Sequence, residues 1–288
     1  MTFTTRFAPS PTGLLHRGHA YSALTAYQAA REAGGRFLLR IEDIDQGRCR
    51  REFEDAIYDD LAWLGLAWET PVRRQSQHFD DYRRALDRLR ERGLVYRCFK
   101  TRREILDEIG RAPHGPGEGP DGVLYRGGPL PPDEEAALIE QGKPFAWRLS
   151  LDRAREELGA RFDRLAFIEE GTGMHRETGV VRVRPESAGD VVLARKDAGV
   201  AYHLAVVVDD ALQGVTHVIR GADLQEAVHV QRLLQTLLDL PEPVYRHHPL
   251  LTDAEGKRFA KRDRAETLAD LRARGVGAQA LRSELGFD

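Results

Sequence analysis

The sequence predicts an α/β fold built on a parallel sheet, because its N-terminal part alternates strand and helix signals. Residues 4–8 are β-forming and stop at residues 9–13, where Pro and Gly mark a turn. Residues 19–33 favour a helix that stops at a Gly-Gly pair, and residues 36–41 form an apolar run typical of a buried strand. This order is a βαβ unit, which builds parallel sheets.

The middle of the chain continues with elements of both kinds. Two amphipathic helices are predicted at residues 51–64 and 79–92, followed by a strand at residues 94–99. Residues 110–132 are rich in Gly and Pro and predict a long surface loop. Residues 151–187 are charged and only weakly periodic, so we interpret them as an insertion of undefined shape.

The C-terminal part returns to an ordered pattern. Strands are predicted at residues 191–195, 200–208 and 215–220, the second because apolar residues alternate with their neighbours. Residues 222–238 predict a helix with one apolar side, and residues 252–264 a polar loop before a short helical tail. At 288 residues the chain is long enough for one well-buried core and a smaller unit.

Composition excludes several classes of protein. Hydrophobic residues make up 41% and charged residues 31% of the chain, which is ordinary for a globular protein. No apolar run is long enough to span a bilayer and no leader segment is visible, so we expect a cytoplasmic protein without a membrane partner. Two cysteines, Cys49 and Cys98, cannot form a disulfide framework. The formal net charge of −3 argues neither for nor against nucleic acid.

The turn after the first strand is the first candidate site, and it leads from Arg6 to His16, Gly18 and His19. Ligands of open parallel sheets bind where such a turn meets a helix, because free backbone N–H groups and the helix dipole favour a polyphosphate. Gly18 would let a nucleotide approach the backbone, and the two imidazoles would donate to phosphate oxygens. The alternative is a tight turn in which His16 and His19 are solvated or cap the helix.

A basic loop near the C-terminus is the second candidate site. The chain has only five lysines, and two of them, Lys257 and Lys261, lie in one short stretch with Arg258. In a nucleotide-binding fold, a cationic loop of this kind neutralises a leaving pyrophosphate. For an isolated charge run, a solvated basic loop is the usual alternative.

These two segments together resemble the HIGH and KMSKS signatures of the class I aminoacyl-tRNA synthetases. The run from Arg6 to His19 is similar to the opening R-F-A-P-S-P-T-G-x-L-H-x-G-H of the glutamyl and glutaminyl branch. Further blocks match the same branch in order, and they begin at Arg40, Trp63, Gln75, Ala201 and Val218. The resemblance implies a Rossmann-type nucleotide-binding catalytic domain with an inserted smaller α/β region and a short helical tail.

The resemblance also implies how the chain is divided. Residues 1–98 and 191–250 would form the two halves of the catalytic domain, and residues 99–190 the inserted acceptor-type region. Residues 251–288 would hold the KMSKS-like loop and the tail. The match is weakest between about residues 110 and 187.

Six residues match the family positions that bind glutamate: Arg6, Ala8, Ser10, Glu42, Tyr202 and Arg220. Glu42 stands where the family has the acid that holds the α-ammonium, and Tyr202 and Arg220 stand where it encloses the side-chain carboxylate. Planar arginine forks suit bidentate binding of carboxylates. Taken singly, either arginine is as well explained by a surface ion pair, and Tyr202 by core packing.

The same resemblance implies ATP, accompanied by Mg²⁺, as the second substrate. Its binding positions fall on His16, Gly18, His19, Arg258 and Lys261, with His16, His19 and Lys261 as the catalytic residues. The basic loop departs from the family pattern K-x-S-K, because Arg258 replaces the first lysine and Ala260 lacks a hydroxyl. This departure bears on the turnover rate more than on the class of substrate.

Only a short tail follows the basic loop, and a chain of this kind is similar to the glutamyl-queuosine tRNA(Asp) synthetases. Members of that family activate glutamate without tRNA and esterify it to the queuosine at the wobble position of tRNA(Asp). The resemblance implies glutamate, ATP and queuosine-containing tRNA(Asp) as partners, and we expect a monomer. Three alternatives stay open: a truncated synthetase that charges tRNA(Glu), an inactive paralogue that binds RNA or glutamate, and a ligase with another acceptor.

Many members of the branch hold zinc between closely spaced cysteines and a tyrosine. Cys98 stands at the first of these positions, but Lys100 replaces the second cysteine, so we expect no zinc site. His114 or Tyr125 would be poor substitutes, and a buried structural thiol is the better interpretation of Cys98. The arginines between residues 73 and 103 would form either a tRNA-binding face or an ion-paired helix surface.

Overall fold

The computed structural model describes residues 2–110, 118–119, 122–171, 177–195, 199–251 and 266–287. It opens with β1 (Thr4–Phe7), α1 (Arg17–Glu32), β2 (Arg36–Ile41), α2 (Arg51–Trp63) and β3 (Arg73–Arg74). The three strands are parallel in the order β1–β2–β3, with Thr4 opposite Arg36. The βαβ unit that the sequence predicts is therefore confirmed.

The second part of the chain forms an antiparallel sheet and returns to the parallel one. It contains α3 (Phe79–Glu91), β4 (Val95–Cys98), α4 (Arg102–Gly110), β5 (Glu118–Gly119), β6 (Gly122–Val123), α5 (Pro132–Glu140), β7 (Ala146–Leu149), α6 (Leu151–Leu158), β8 (Ala166–Glu169), β9 (Gly179–Arg182) and β10 (Val192–Arg195). Strands β4, β7 and β10 are antiparallel with β7 in the middle. Strand β9 pairs antiparallel with β8.

The last part contains α7 (Tyr202–Leu212), β11 (His217–Gly221), α8 (Ala227–Leu237), β12 (Val244–His248), α9 (Leu268–Ala273) and α10 (Ala278–Glu284). Strand β12 is parallel to β11 on one side and to β8 on the other. Thus β8 joins the parallel sheet although it lies within residues 99–190. The division of the chain into catalytic and inserted regions remains a prediction.

Two threonines join the halves of the parallel sheet. The Thr216 N–H donates to the Thr4 carbonyl at 2.9 Å, and the Thr4 N–H donates to Thr216 Oγ1 at 2.8 Å. Strand β1 therefore lies beside β11, and the strands follow the order β3–β2–β1–β11–β12–β8. Starting from the central strand β1, the chain first adds β2 and β3 on one side of the sheet. The later strands β11 and β12 are added on the other side, so a topological switch point lies between β1 and β11.

The predicted strand at residues 200–208 is wrong, because Tyr202–Leu212 is helix α7. Every residue from His203 to Asp210 in this helix is buried. A helix that is buried on all sides has no polar face. Its apolar residues are therefore not confined to one helical stripe, and the sequence resembles that of a buried strand. The consequence for the site is that Asp209 and Asp210 point into the protein.

Helices cover both faces of the parallel sheet, as the α/β prediction requires. On β2, Leu38 packs into one core with α3, α7 and α8, while its neighbours Phe37 and Leu39 pack into another with α1, α2, α9 and α10. On β11, Val218 and Ile219 divide between the same two cores. In the described ranges no helix combines the length and apolar character needed to cross a bilayer.

Candidate active site

The parallel strands place a row of charged and polar side chains along one edge of the sheet. Arg6 lies on β1, Glu42 follows β2, Arg220 lies on β11, His247 on β12 and Glu169 at the end of β8. All five are near the carboxyl ends of their strands, where open α/β sheets bind ligands. The strand order therefore brings together residues that are far apart in the sequence.

A cavity of about 1030 Å³ opens at this edge, and it is large enough for more than one small ligand. Ser10, Glu42 and Tyr202 of the predicted glutamate site line it. Ala8 lies in the same turn as Ser10, and the Glu42 N–H holds that turn by donating to the Pro9 carbonyl at 3.0 Å.

Beneath the cavity, two buried arginines and two carboxylates form an ion-pair cluster. Arg6 Nε donates to Asp210 Oδ1 at 3.0 Å, and its Nη2 reaches Asp210 Oδ2 at 3.4 Å. Arg40, which is fully buried, donates to Asp210 at 2.7 Å and to Glu42 at 3.0 Å. Arg6 uses one edge of its guanidinium on Asp210, so its Nη1 is the group left to meet an α-carboxylate.

The charges in this cluster are unevenly compensated. Burial raises the pKa of Asp210, but Arg6 and Arg40 outweigh burial and hold it below its ordinary value. Burial also raises the pKa of Glu42, and there the two arginines do not offset it. Glu42 therefore carries a charge that a further cation would stabilise, and it faces the cavity. An α-ammonium group meets that requirement.

Asp209 is buried next to the cluster and binds Arg73, one of the arginines between residues 73 and 103. Tyr82 Oη donates to both of its carboxylate oxygens at 3.0 and 2.9 Å, Gln75 donates at 2.9 Å, and Arg73 Nε donates at 2.7 Å. Arg74 instead pairs with Glu54. Three arginines of α3 pair with acids one turn away: Arg83 with Asp80, Arg84 with Asp81 and Arg90 with Asp87.

Arg220 is buried, with a 5% exposed side chain, but its partners carry no charge. Its Nε donates to His247 Nε2 at 3.2 Å, and its Nη2 donates to the Leu224 carbonyl at 3.0 Å and to Gln231 Oε1 at 2.9 Å. Its Nη1 donates to Tyr202 Oη at 3.3 Å. Within the described part of the chain, no carboxylate lies within ion-pair distance of Arg220.

His247 is held in the tautomer that this contact requires. Its Nδ1 contacts Glu169 Oε2, and the His247 backbone N–H donates to Glu169 Oε1 at 2.9 Å. Because the carboxylate only accepts, Nδ1 carries the proton and Nε2 presents a lone pair to Arg220. Burial lowers the pKa of His247, with a further contribution from Arg220, so the ring stays neutral. A Cβ on Gly171 would lie 2.3 Å from the His247 carbonyl oxygen, so only glycine fits at this position.

Tyr202 lines the cavity together with Glu42, and its Oη accepts from Arg220 Nη1 at 3.3 Å. Removal of its hydroxyl from water raises its pKa, Arg220 and Arg6 lower it, and Glu42 raises it. The charges of Arg220, Arg6 and Glu42 therefore all act on the Tyr202 hydroxyl. A ligand beside Tyr202 would meet a cationic group on one side and an anionic group on the other.

The two histidines of the first motif cap α1, as the alternative interpretation proposed. His16 Nδ1 accepts from the Gly18 N–H at 3.1 Å, and His19 Nδ1 accepts from the His16 N–H at 3.2 Å. A Cβ on Gly18 would lie 3.0 Å from the His16 ring, so this glycine makes room for the capping imidazole. Since each Nδ1 accepts, each neutral ring carries its proton on Nε2. Capping thus prepares both rings as donors and does not exclude binding of phosphate.

Lys257, Arg258, Ala260 and Lys261 of the second motif lie outside the described residues. The segment that follows them is held against the start of α1. The Leu268 N–H donates to the Leu15 carbonyl at 2.8 Å, and Arg17 pairs with Glu266 at 2.8 Å. Glu266 and Leu268 therefore lie beside the first motif.

Cys98 is buried with Tyr96, Ile105 and Tyr125. Among the described residues no group of three or more His, Cys, Asp or Glu side chains could hold a metal ion, and His114 is not among them. Asp190 organises this region instead. Its carboxylate accepts from Tyr96 Oη at 2.9 Å, from the Gly127 N–H at 3.1 Å and from the Leu151 N–H at 3.1 Å.

Sequence reasoning assigned no role to several residues that build the site: Arg40, Glu169, Asp209, Asp210, Gln231 and His247. For Arg40, Asp209, Asp210 and Gln231, the signal was a charged or amide residue inside or next to an apolar run. Asp209 and Asp210 directly follow three valines, and a helical interpretation of that run would have turned them inward. Glu169 and His247 gave no local pattern, because only strand pairing brings them together.

The chain matches the family described as tRNA synthetases class I (E and Q), catalytic domain, over residues 2–286. It is similar to the glutamyl-Q tRNA(Asp) synthetase of Rhodobacter capsulatus, with 49% identity over 98% of this chain and 99% of that protein. The corresponding protein of Symbiobacterium thermophilum is 41% identical over 98% of this chain and 85% of its own length.

Longer relatives match as well. The glutamate–tRNA ligase 2 of Cereibacter sphaeroides is 39% identical over 98% of this chain, which spans 60% of that protein. The crystal structure of a glutamate tRNA ligase from Elizabethkingia meningosepticum in complex with its amino acid superposes with a TM-score of 0.73 at 28% identity. That match covers 91% of this chain and 52% of the solved chain, so this chain spans about half of that structure.

Proposed function

Because the chain belongs to the catalytic-domain family of the class I glutamyl- and glutaminyl-tRNA synthetases, we propose that it activates glutamate with ATP and passes it to the queuosine of tRNA(Asp). Membership of this family makes the chain a ligase-type enzyme. The glutamate step would proceed without tRNA. The names of two relatives that this chain matches over 99% and 85% of their length support the choice of acceptor.

Two charged groups at the cavity, each only partly compensated, carry the glutamate part of the proposal: Glu42, which lines it, and Arg220, which contacts its lining residue Tyr202. Arg220 is a buried cation whose described partners are neutral, and Glu42 is a buried anion whose pKa is raised by burial. Tyr202 lines the cavity together with Glu42 and contacts Arg220. A ligand that satisfies both needs an ammonium at one end and an anionic group at the other, and glutamate has this arrangement.

In the proposed first step, an α-carboxylate oxygen of glutamate attacks the α-phosphorus of the substrate ATP–Mg²⁺. The bond to the leaving pyrophosphate breaks, and glutamyl-AMP forms. The Nε2–H groups of His16 and His19 would donate to the phosphates, next to Gly18, and Arg258 and Lys261 would neutralise the pyrophosphate. Rate acceleration in such a step comes from positioning and charge stabilisation, so no general base is assigned.

In the second step, a hydroxyl oxygen of the acceptor attacks the glutamyl carbonyl, AMP leaves, and the hydroxyl proton is released. The cavity offers a place for a nucleoside that leaves its base stack. Phe99 and Phe145, whose ring centroids are 5.5 Å apart, line it together with Arg48, Lys100 and Arg102. Aromatic rings beside cations are typical of sites that bind unstacked bases and their phosphates.

The proposal is tested by incubating the protein with labelled glutamate, ATP and Mg²⁺ and three RNAs: tRNA(Asp) with queuosine, tRNA(Asp) without it, and tRNA(Glu). We expect label only on the queuosine-containing tRNA(Asp), and we expect it to persist when the 3′-terminal adenosine has been removed. Glutamate-dependent ATP–pyrophosphate exchange without RNA checks the first step separately. Label at the 3′ end of tRNA(Glu) would identify a charging synthetase, and absence of exchange would identify an inactive paralogue.

A further inference from the structure

Gln231 on α8 has a buried side-chain amide, and its oxygen and nitrogen differ in their hydrogen bonding. Its side chain is 2% exposed, and its Oε1 accepts from Arg220 Nη2 at 2.9 Å. The orientation of the amide is set by this contact, because a guanidinium can only donate. Its Nε2 is buried, and none of the residues that the structure describes gives it a hydrogen-bond partner. A buried donor without an acceptor is costly, so this group indicates an acceptor that arrives with a ligand.

The unpartnered amide nitrogen lies beside the hydroxyl that lines the cavity. Gln231 Oε1 and Tyr202 Oη both contact the guanidinium of Arg220, the first through Nη2 at 2.9 Å and the second through Nη1 at 3.3 Å, so the two side chains are neighbours. Tyr202 Oη already accepts from Arg220 Nη1 at 3.3 Å, which leaves its O–H to donate to something else. Gln231 Nε2 and Tyr202 Oη therefore stand together as donors.

Arg220 adds the third donor. Of its five N–H groups, one is taken by His247, two by the Leu224 carbonyl and Gln231 Oε1, and one by Tyr202. The remaining N–H is on Nη1. Arg220 thus meets its ligand through a single N–H and not through a bidentate fork, and it needs neighbouring donors to complete recognition of a carboxylate.

We propose that Gln231 is a specificity-determining residue that holds Arg220 and donates its Nε2–H to the side-chain carboxylate of the amino-acid substrate. This inference rests on the proposed binding of glutamate. A carboxylate has two oxygens that accept from Arg220, Tyr202 and Gln231 together. A carboxamide would turn its own NH₂ towards these donors and leave polar groups unpaired, so the trio selects glutamate over glutamine.

Gln235 provides a matched control, because it lies one turn further along α8 and is also 2% exposed. Its Nε2 donates to Tyr245 Oη at 2.9 Å and not to a group of the cavity. Gln231→Leu and Gln235→Leu therefore remove the same amide from the same helix. Only the first removes a donor from the proposed carboxylate site, while Gln231→Glu places an anion against Arg220.

The experiment measures glutamate binding by calorimetry and the KM for glutamate and for ATP in pyrophosphate exchange, with thermal unfolding as a check of folding. We expect Gln231→Leu to weaken glutamate binding and raise its KM by about 10- to 100-fold, with the KM for ATP unchanged. The preference for glutamate over glutamine should fall in parallel. Gln235→Leu should change the KM for glutamate by less than about 3-fold, and Gln231→Glu should weaken binding more than Gln231→Leu.

Three outcomes overturn the inference, and they are distinguishable. If the wild-type chain binds glutamate but Gln231→Leu behaves like Gln235→Leu, the role of Gln231 is wrong and the proposed function stands. If the wild-type chain neither binds glutamate nor supports exchange, both fail. A folded Gln231→Leu variant with a raised KM for ATP as well would indicate a structural role and would also contradict the inference.

Discussion

Arg40 and Arg220 are both buried arginines near the carboxyl ends of parallel strands, yet their surroundings differ in charge. Arg40 touches Asp210 at 2.7 Å and Glu42 at 3.0 Å, and Asp209 lies 3.8 Å away. Burial lowers the pKa of Arg40, but these carboxylates outweigh burial and raise it. The described hydrogen-bond acceptors of Arg220 are instead neutral groups. Because of this difference, we expect Arg40 to stabilise the fold and Arg220 to be available to an anionic ligand.

The largest effect should follow from Arg40→Met. This change leaves three buried carboxylates with one cation fewer, and breaking a buried pair in this way costs about 3–5 kcal/mol. We expect the free energy of unfolding to fall by that amount in urea titration. An Arg40→Met variant with wild-type stability and reduced affinity for glutamate would break the comparison, because Arg40 would then act on the ligand.

Arg220→Met should have the reverse profile. The substitution removes a cation that no described carboxylate neutralises, so its loss leaves no buried anion behind. We expect kcat/KM for glutamate in pyrophosphate exchange to fall at least about 100-fold, equivalent to about 2.7 kcal/mol, while stability changes by less than about 1.5 kcal/mol. A strongly destabilised variant with an unchanged KM for glutamate would show that Arg220 is structural too.

A smaller effect should come from His247, which touches Arg220 but not the cavity. His247→Leu removes the acceptor of the Arg220 Nε–H, and we expect the KM for glutamate to rise about 10-fold with kcat nearly unchanged. His247→Gln keeps an acceptor and a donor and should recover part of the loss.

His229→Gln serves as the control for the His247 variants, because His229 is equally buried and contacts the Arg184 N–H at 3.2 Å. It should leave the KM for glutamate at its wild-type value. If His247→Leu and His229→Gln change only stability, and by similar amounts, the positioning of Arg220 by His247 is wrong.

The elements that depend on local signals could be predicted from the amino-acid sequence. The first βαβ unit, the amphipathic helices α2 and α3 and the motif from Arg6 to His19 are encoded by periodicity, turn residues and spacing, which act over a few neighbouring residues. The same motif, together with the later blocks, also indicated the family. Local patterns of this kind do not depend on what the rest of the chain does.

The pairing of buried charged groups could not be predicted in this way, because it depends on the three-dimensional fold. Helix α7 resembles a strand in its sequence because it is enclosed on all sides, and its enclosure comes from elements distant in the chain. Glu169, His247 and Arg220 meet because β8, β12 and β11 are adjacent, although β8 precedes β11 by nearly fifty residues of sequence. Electrostatic compensation depends on distances of a few ångströms, and strand order, which no short pattern encodes, sets those distances.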